Sequence, residues 1–169
     1  MGTKKGAKGY RRSDSKEADD VEAAAQRVPY EKPSYEIIDH TADLGIRVTG
    51  ESLERVFENA GLALFDVITD LRLVRPDTRM SFSVAAENLE ALLVQWLREL
   101  LYLFYGQKRL FRAFEITQLS QTDLTVTAWG ERFNPKRHPI VTEIKAVTYH
   151  ELSLDRTESG WAAQMIFDV

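Results

Sequence analysis

The chain has 169 residues, 44% hydrophobic and 28% charged, a composition that fits one ordinary soluble domain and leaves little room for a second. No cysteine is present, which excludes disulfides, thiolate zinc sites, iron–sulfur clusters and thiol nucleophiles, so any metal or acid/base chemistry falls to oxygen and imidazole groups. The net charge of −4 divides unevenly: residues 1–33 carry eight Lys/Arg against six Asp/Glu, and residues 34–169 carry fourteen against twenty. A domain at −6 is a poor match for polyphosphate, so strong direct nucleic-acid binding is not expected of it. No stretch nears the ~18 consecutive apolar residues of a membrane span, and the N-terminus is too polar for a secretory signal. The expected location is therefore cytoplasmic.

Residues 1–33 contain no Leu, Ile, Phe or Trp and cannot offset their ordering entropy, so they are predicted to be a disordered polar tail. Alanine-rich Glu17 to Arg27 has some helical propensity, and Lys4, Lys5, Lys8, Arg11 and Arg12 form a basic cluster read as a solubilising leader rather than an RNA-binding arm. Residues 34–169 form the predicted single domain. Tyr35 to His40 and Leu44 to Gly50 read as strands, and Ser52 as the N-cap of a helix. Leu53, Val56, Phe57, Ala60, Leu64, Val67 and Ile68 recur at helical spacing as one buried stripe ending near Asp70. Met80 to Ala86 alternates as a strand. A second helix runs from Leu89 through Phe104, with Gly106 as its stop. Tyr102, Leu103 and Tyr105 lie outside its stripe, which favours burial on two sides over a partner-facing aromatic edge.

Beyond Gly106 the pattern turns to β: Leu110 to Leu119, Leu124 to Trp129, Glu143 to His150, Leu152 to Asp155 and Trp161 to Asp168 read as strands. Gly130 to Thr142, interrupted by Pro135 and Pro139, reads as a polar loop. The order ββαβα followed by further strands predicts an α+β fold, two helices covering one face of a mainly antiparallel β-sheet.

Phosphate-cradling glycine motifs and a GxSxG nucleophile turn are absent from the sequence. His150-Glu151 starts like a zinc-protease HExxH, but Leu154 stands where the second histidine belongs and the segment reads as strand. His40, His138 and His150 are read as surface or hydrogen-bonded core residues rather than a metal triad. Asp39-His40-Thr41-Ala42-Asp43-Leu44-Gly45 concentrates short polar groups between two strands, where they could simply cap backbone amides. At the far end Asp168 sits beside Val169. If that last strand lies against the Asp39 to Asp43 turn, a hard cation would relieve the clustered negative charge.

DHTADLGI at Asp39 to Ile46, ENAGLALFDVITD at Glu58 to Asp70, ENLEALLVQWLRELL at Glu87 to Leu101, EIKAVTYH at Glu143 to His150 and the terminal FDV closely resemble the archease family over about residues 35 to 169. DHTAD with its following LGI, and IKAVTYH, are long strings in the family's order; residues 1–33 depart from the family pattern. The resemblance implies the archease fold and a non-enzymatic accessory protein of RNA processing. Family members act on the GTP-dependent RNA-splicing ligase of tRNA splicing and RNA repair, promoting its guanylylation and multiple turnover, and serve as chaperone-like modulators of a tRNA methyltransferase. It also implies a divalent cation, Ca²⁺ with Mg²⁺ or Mn²⁺ as the other candidates, held by Asp43, Asp168 and Val169. Asp39, His40 and Lys145 become candidates for supporting or partner contacts. A metal-dependent hydrolase using Asp39, His40 and Asp43, and a general holdase working through the aromatic edge at Tyr102 and Tyr105, are the rival readings.

Overall fold

The structure, a computed structural model, describes residues 28–169. The expectations for the basic cluster and for helix at Glu17 to Arg27 lie outside the described residues. Val28 to Pro33, assigned from sequence to the tail, instead lie against the domain. Arg112 donates to the Val28 carbonyl, Arg55 pairs with Glu31, and Tyr30 packs on the core. Tyr30 and Pro33 supply the apolar contact area that the remainder of that segment lacks.

Among the described residues, seven strands form two antiparallel sheets. The first has the order β1-β2-β7-β6, from β1 (Tyr35–Ile38), β2 (Leu44–Gly50), β6 (Ala146–Thr157) and β7 (Gly160–Asp168). The second has the order β3-β5-β4, from β3 (Thr78–Ala85), β4 (Arg109–Leu119) and β5 (Asp123–Arg132). Helices α1 (Leu53–Ile68) and α2 (Leu89–Gln107) each touch both sheets. The predicted two helices on antiparallel sheet are present, but the strands divide into two sheets because α1 needs cover on more than one side.

That need is written in its side chains. Ser52 caps α1 as predicted, accepting from the Arg55 amide at 3.2 Å. Burial then extends well beyond the expected stripe, over every residue from Val56 to Phe65. Small residues permit this: a Cβ on Gly61 would stand 2.9–3.1 Å from Phe114, Trp96 and Leu100. The two polar residues caught in the burial serve the flanking sheets. Asn59 donates to the Thr49 carbonyl of β2 at 2.7 Å, and Glu58 accepts the Ile116 amide at 2.9 Å, where a register shift in β4 frees it from the ladder.

Helix α2 starts on Asn88, which accepts from the Ala91 amide, and buries Leu92 to Val94, Trp96, Leu97, Leu100, Leu101, Leu103 and Phe104. Burial on two sides is thus what the structure shows, with Tyr102 exposed and Tyr105 tied by its hydroxyl to the Ile144 carbonyl at 2.8 Å. Gly106 does not end the helix. Lys108 takes the left-handed turn at φ 56°, and its carbonyl accepts from the Phe133 amide as β4 begins.

Two further boundaries move. β5 runs on through Gly130 to Arg132, and the predicted strands Glu143 to His150 and Leu152 to Asp155 are one strand, β6, beginning at Ala146. Its register against β7 slips between Thr148 and Ser153, and Glu151 lies inside that irregularity. Among the described residues no helix is long and apolar enough to cross a membrane.

Candidate functional site

The five residues between β1 and β2 make a tight reversal in which Ala42 adopts φ 67°, a conformation that costs a non-glycine residue on the order of 1 kcal/mol. β2 then pairs with β7 from Leu44 opposite Phe167 to Gly50 opposite Trp161. Asp43 and Asp168 are the next residues outward on these two strands, so they flank the same end of the sheet. On the other side of β7, Ala146 lies opposite Asp168, the Lys145 amide donates to the Asp168 carbonyl at 2.8 Å, and the Lys145 ammonium donates to a Val169 main-chain oxygen at 3.3 Å.

Four of the residues singled out in the sequence, Asp43, Lys145, Asp168 and Val169, therefore meet at one sheet end, drawn from three adjacent strands. Asp39 is exposed on the same turn. His40 points its ring across the end of the sheet: Nδ1 lies 3.7 Å from an Asp43 carboxylate oxygen and Nε2 lies 3.8 Å from Glu151. The His40 Nδ1 atom is buried and makes no hydrogen bond among the described residues. An orphaned imidazole nitrogen facing a carboxylate is the unfinished part of this site.

The three histidines separate. His40 and His150 approach edge to face with centroids 5.5 Å apart, whereas His138 is fully enclosed elsewhere. Its Nδ1 accepts from the Asn134 amide and its Nε2 faces Glu131 at 2.9 Å, which makes it a hydrogen-bonded core residue. In the sequence Glu151 figures only as part of an incomplete HExxH string that is set aside, not as a neighbour of His40. Its signal was the break between two strand patterns: the residue adopts φ 49° inside the β6 irregularity, which turns His150 and Glu151 toward His40.

As donors, the Asp43 and Asp168 carboxylates with a Val169 oxygen make an all-oxygen set, the chemistry preferred by Ca²⁺, Mg²⁺ and Mn²⁺. The residues present fit such an ion by type, and by their shared position at the sheet end.

The family model of the Archease protein family matches residues 35–169. The chain belongs to the archease family. Among archease relatives, that of Methanosarcina mazei is 41% identical over 146 residues, which cover 84% of this chain and 100% of the relative. That of Pyrococcus furiosus is 40% identical over 140 residues, covering 80% and 98%. The solution structure of Methanobacterium thermoautotrophicum protein 1598 superposes with a TM-score of 0.68 at 34% identity, covering 82% of this archease and all of that chain. The crystal structure of a Thermotoga maritima archease, described as a possible chaperone, shares the fold with a TM-score of 0.54 at 23% identity, covering 84% and 99%. The archease match begins at the first residue of β1, so the whole sheet-end cluster falls within it.

Proposed function

We propose that this archease is a non-catalytic accessory protein of the GTP-dependent RNA-splicing ligase, promoting ligase guanylylation and multiple turnover in cytoplasmic tRNA splicing or RNA repair. The observation that carries the reading is the convergence of the Asp39 to Asp43 turn, Lys145 and the Asp168-Val169 end at one edge of the sheet, in a chain that belongs to this family. Asp43, Asp168 and Val169 are the proposed holders of a divalent cation, Ca²⁺ or alternatively Mg²⁺ or Mn²⁺. Bound there, the cation supplies charge neutralisation among carboxylates that would otherwise repel one another.

The chain's own residues do the rest. Backbone pairing through β2, β7 and β6 holds Asp43, Asp168 and Lys145 at fixed spacing, so the docking edge is formed before a partner arrives. Lys145 places a cation beside the carboxylates and gives the edge two signs of charge with which to choose an orientation. Activation requires that this edge bind the metal- and GTP-loaded ligase more tightly than the unloaded form, since only a differential affinity shifts the population.

The test is ligase guanylylation at limiting GTP and metal, with wild-type protein, with Asp43→Ala and with no addition. Wild type accelerates the reaction and Asp43→Ala, folded by circular dichroism, does not. Equal acceleration by both proteins would refute the proposed role of this edge. Equal rates with and without the wild-type protein would refute the ligase reading itself.

A further inference from the structure

The ladder between β6 and β7 is regular up to Thr148 opposite Ile166 and resumes at Ser153 opposite Gln164, so β6 carries extra residues between these points. A bulge of this kind bends a strand and re-aims its side chains. Here Glu151 accepts a left-handed φ of 49°, and its carboxylate is directed between two imidazoles. One oxygen lies 3.8 Å from His40 Nε2 and the other 3.7 Å from His150 Nε2. One ligand atom from each of the three residues falls within 4.8 Å of the others. All of these separations exceed hydrogen-bond length, so the groups converge without satisfying one another.

We propose that His40, His150 and Glu151 form a binding site for an imidazole-preferring divalent cation of the Zn²⁺ type, separate from the oxygen-only set of Asp43, Asp168 and Val169. A tetrahedral ion with bonds of ~2.1 Å needs ligand atoms about 3.4 Å apart. His40 Nε2 and His150 Nε2 lie 3.8 and 3.7 Å from two different Glu151 oxygens, and the set spans up to 4.8 Å, so the three side chains must draw together on binding. The adjustment falls on side chains free to make it, since those of His150 and Glu151 are 64% and 51% exposed. His40 is the fixed member. Its Nδ1, buried and without a hydrogen bond among the described residues, faces the Asp43 carboxylate at 3.7 Å. Closing that gap to the ~2.9 Å of a hydrogen bond would let the carboxylate accept from Nδ1, set the tautomer and leave Nε2 free to ligate. Two imidazoles and one carboxylate are a set found in zinc proteins, and they leave a fourth position open. An ion there joins the β1–β2 turn to the β6 bulge across the width of the sheet.

The composition makes the test clean. The chain has no cysteine and three histidines, and His138 is enclosed by its own hydrogen bonds, so it serves as an internal control. Full-length protein in Ca²⁺-saturating buffer is titrated with Zn²⁺ by calorimetry, and the imidazole nitrogens are followed by ¹H–¹⁵N NMR. One equivalent of Zn²⁺ binds, the His40 and His150 signals move, and the His138 signals do not. His150→Ala and Glu151→Gln, both at exposed positions, weaken binding by at least about tenfold. Asp168→Ala leaves Zn²⁺ affinity within a few-fold of wild type. Unmoved His40 and His150 signals at excess Zn²⁺, or equal affinity in wild type and His150→Ala, would overturn the proposal. A loss in Asp168→Ala as large as that in His150→Ala would do so too, by assigning the ion to the oxygen set. None of these readouts involves the ligase, so the outcome is independent of the proposed function.

Discussion

Replacing Glu131 by Gln tests whether the long segment after β5 is held by charge. The Glu131 carboxylate is nearly buried, and one of its oxygens accepts from the Arg75 amide at 2.8 Å, from Arg137 at 3.0 Å and from His138 Nε2 at 2.9 Å. The other oxygen pairs with the second Arg137 nitrogen. A glutamine can present its carbonyl to the first three donors, and its amide nitrogen then confronts Arg137 donor to donor. Arg137 is partly exposed and can turn to water, so the loss is that of a charge-assisted pair rather than a stranded charge. At ~1.5–3 kcal/mol for hydrogen bonds to a charged group, the variant should lose about 2–3 kcal/mol. With roughly 3 °C per kcal/mol for a domain of about 140 residues, Tm should fall by about 6–9 °C at pH 7. Burial pushes the Glu131 carboxyl up, but Arg137, the Arg75 amide and His138 together hold it below the usual range. Its contribution is therefore complete above the unfolded value of about 4.3 and disappears as pH falls through the lower folded value, so the gap between wild type and variant should narrow near pH 3. Calorimetric melts at both pH values decide the matter. A variant within about 2 °C of wild type at pH 7, or a gap of equal size at both pH values, would refute the reasoning.

Gly130→Ala would place a Cβ 1.8 Å from the Leu110 carbonyl oxygen and 2.7 Å from Phe111 Cα, so β4 and β5 must separate. A loss of more than about 3 kcal/mol in urea unfolding, or failure to accumulate soluble protein, is expected. Trp96→Phe removes the buried indole donor to the Phe57 carbonyl at 2.9 Å and part of the aromatic packing with Phe82 and Phe114. A cost of about 1–3 kcal/mol, read from the same unfolding curves, should result. Burial, the hydrogen bond to Asp66 and the Asp66 charge all raise the Tyr35 phenol above its ordinary value. The folded state thus keeps a proton that the unfolded chain gives up from about pH 10, and stability falls as pH rises beyond that point. Tyr35→Phe should flatten this alkaline loss in melts between about pH 9 and pH 11.

What the sequence displays plainly is local. Ser52 followed by the spaced apolar residues of α1 signals a helix start because an N-cap acts within its own turn. Glu58 and Asn59 carry no such signal: on a helical wheel they belong to a wet face, and only the Ile116 amide and the Thr49 carbonyl, brought in by other elements, explain their burial. Lys108 is similar. The left-handed turn went to it rather than to Gly106 because the Phe133 amide meets its carbonyl, a pairing fixed by β5. At Glu151 the break in strand pattern was visible, but its purpose was not, since His40 stands more than a hundred residues earlier in the chain.

The sheet-end cluster follows from the core. Leu44, Ile46 and Val48 lie opposite Phe167, Met165 and Ala163, and all six belong to the packed interior or its margin. Strand side chains alternate with a period of two, so a slip of β2 by one residue against β7 would turn Arg47 toward the helices and Leu44, Ile46 and Val48 toward solvent. The resulting loss, at ~1.5–3 kcal/mol for each large side chain exposed, outweighs anything a cluster of surface carboxylates contributes. With the register fixed in this way, Asp43 lies one residue outward of Leu44 and Asp168 one residue outward of its partner Phe167, and Ala146 opposite Asp168 brings Lys145 to the same edge. The separation of these residues along the chain left their meeting conditional on where the last strand pairs. Apolar alternation on β2 and β7 enforces it, and the strand pairing was the only missing term.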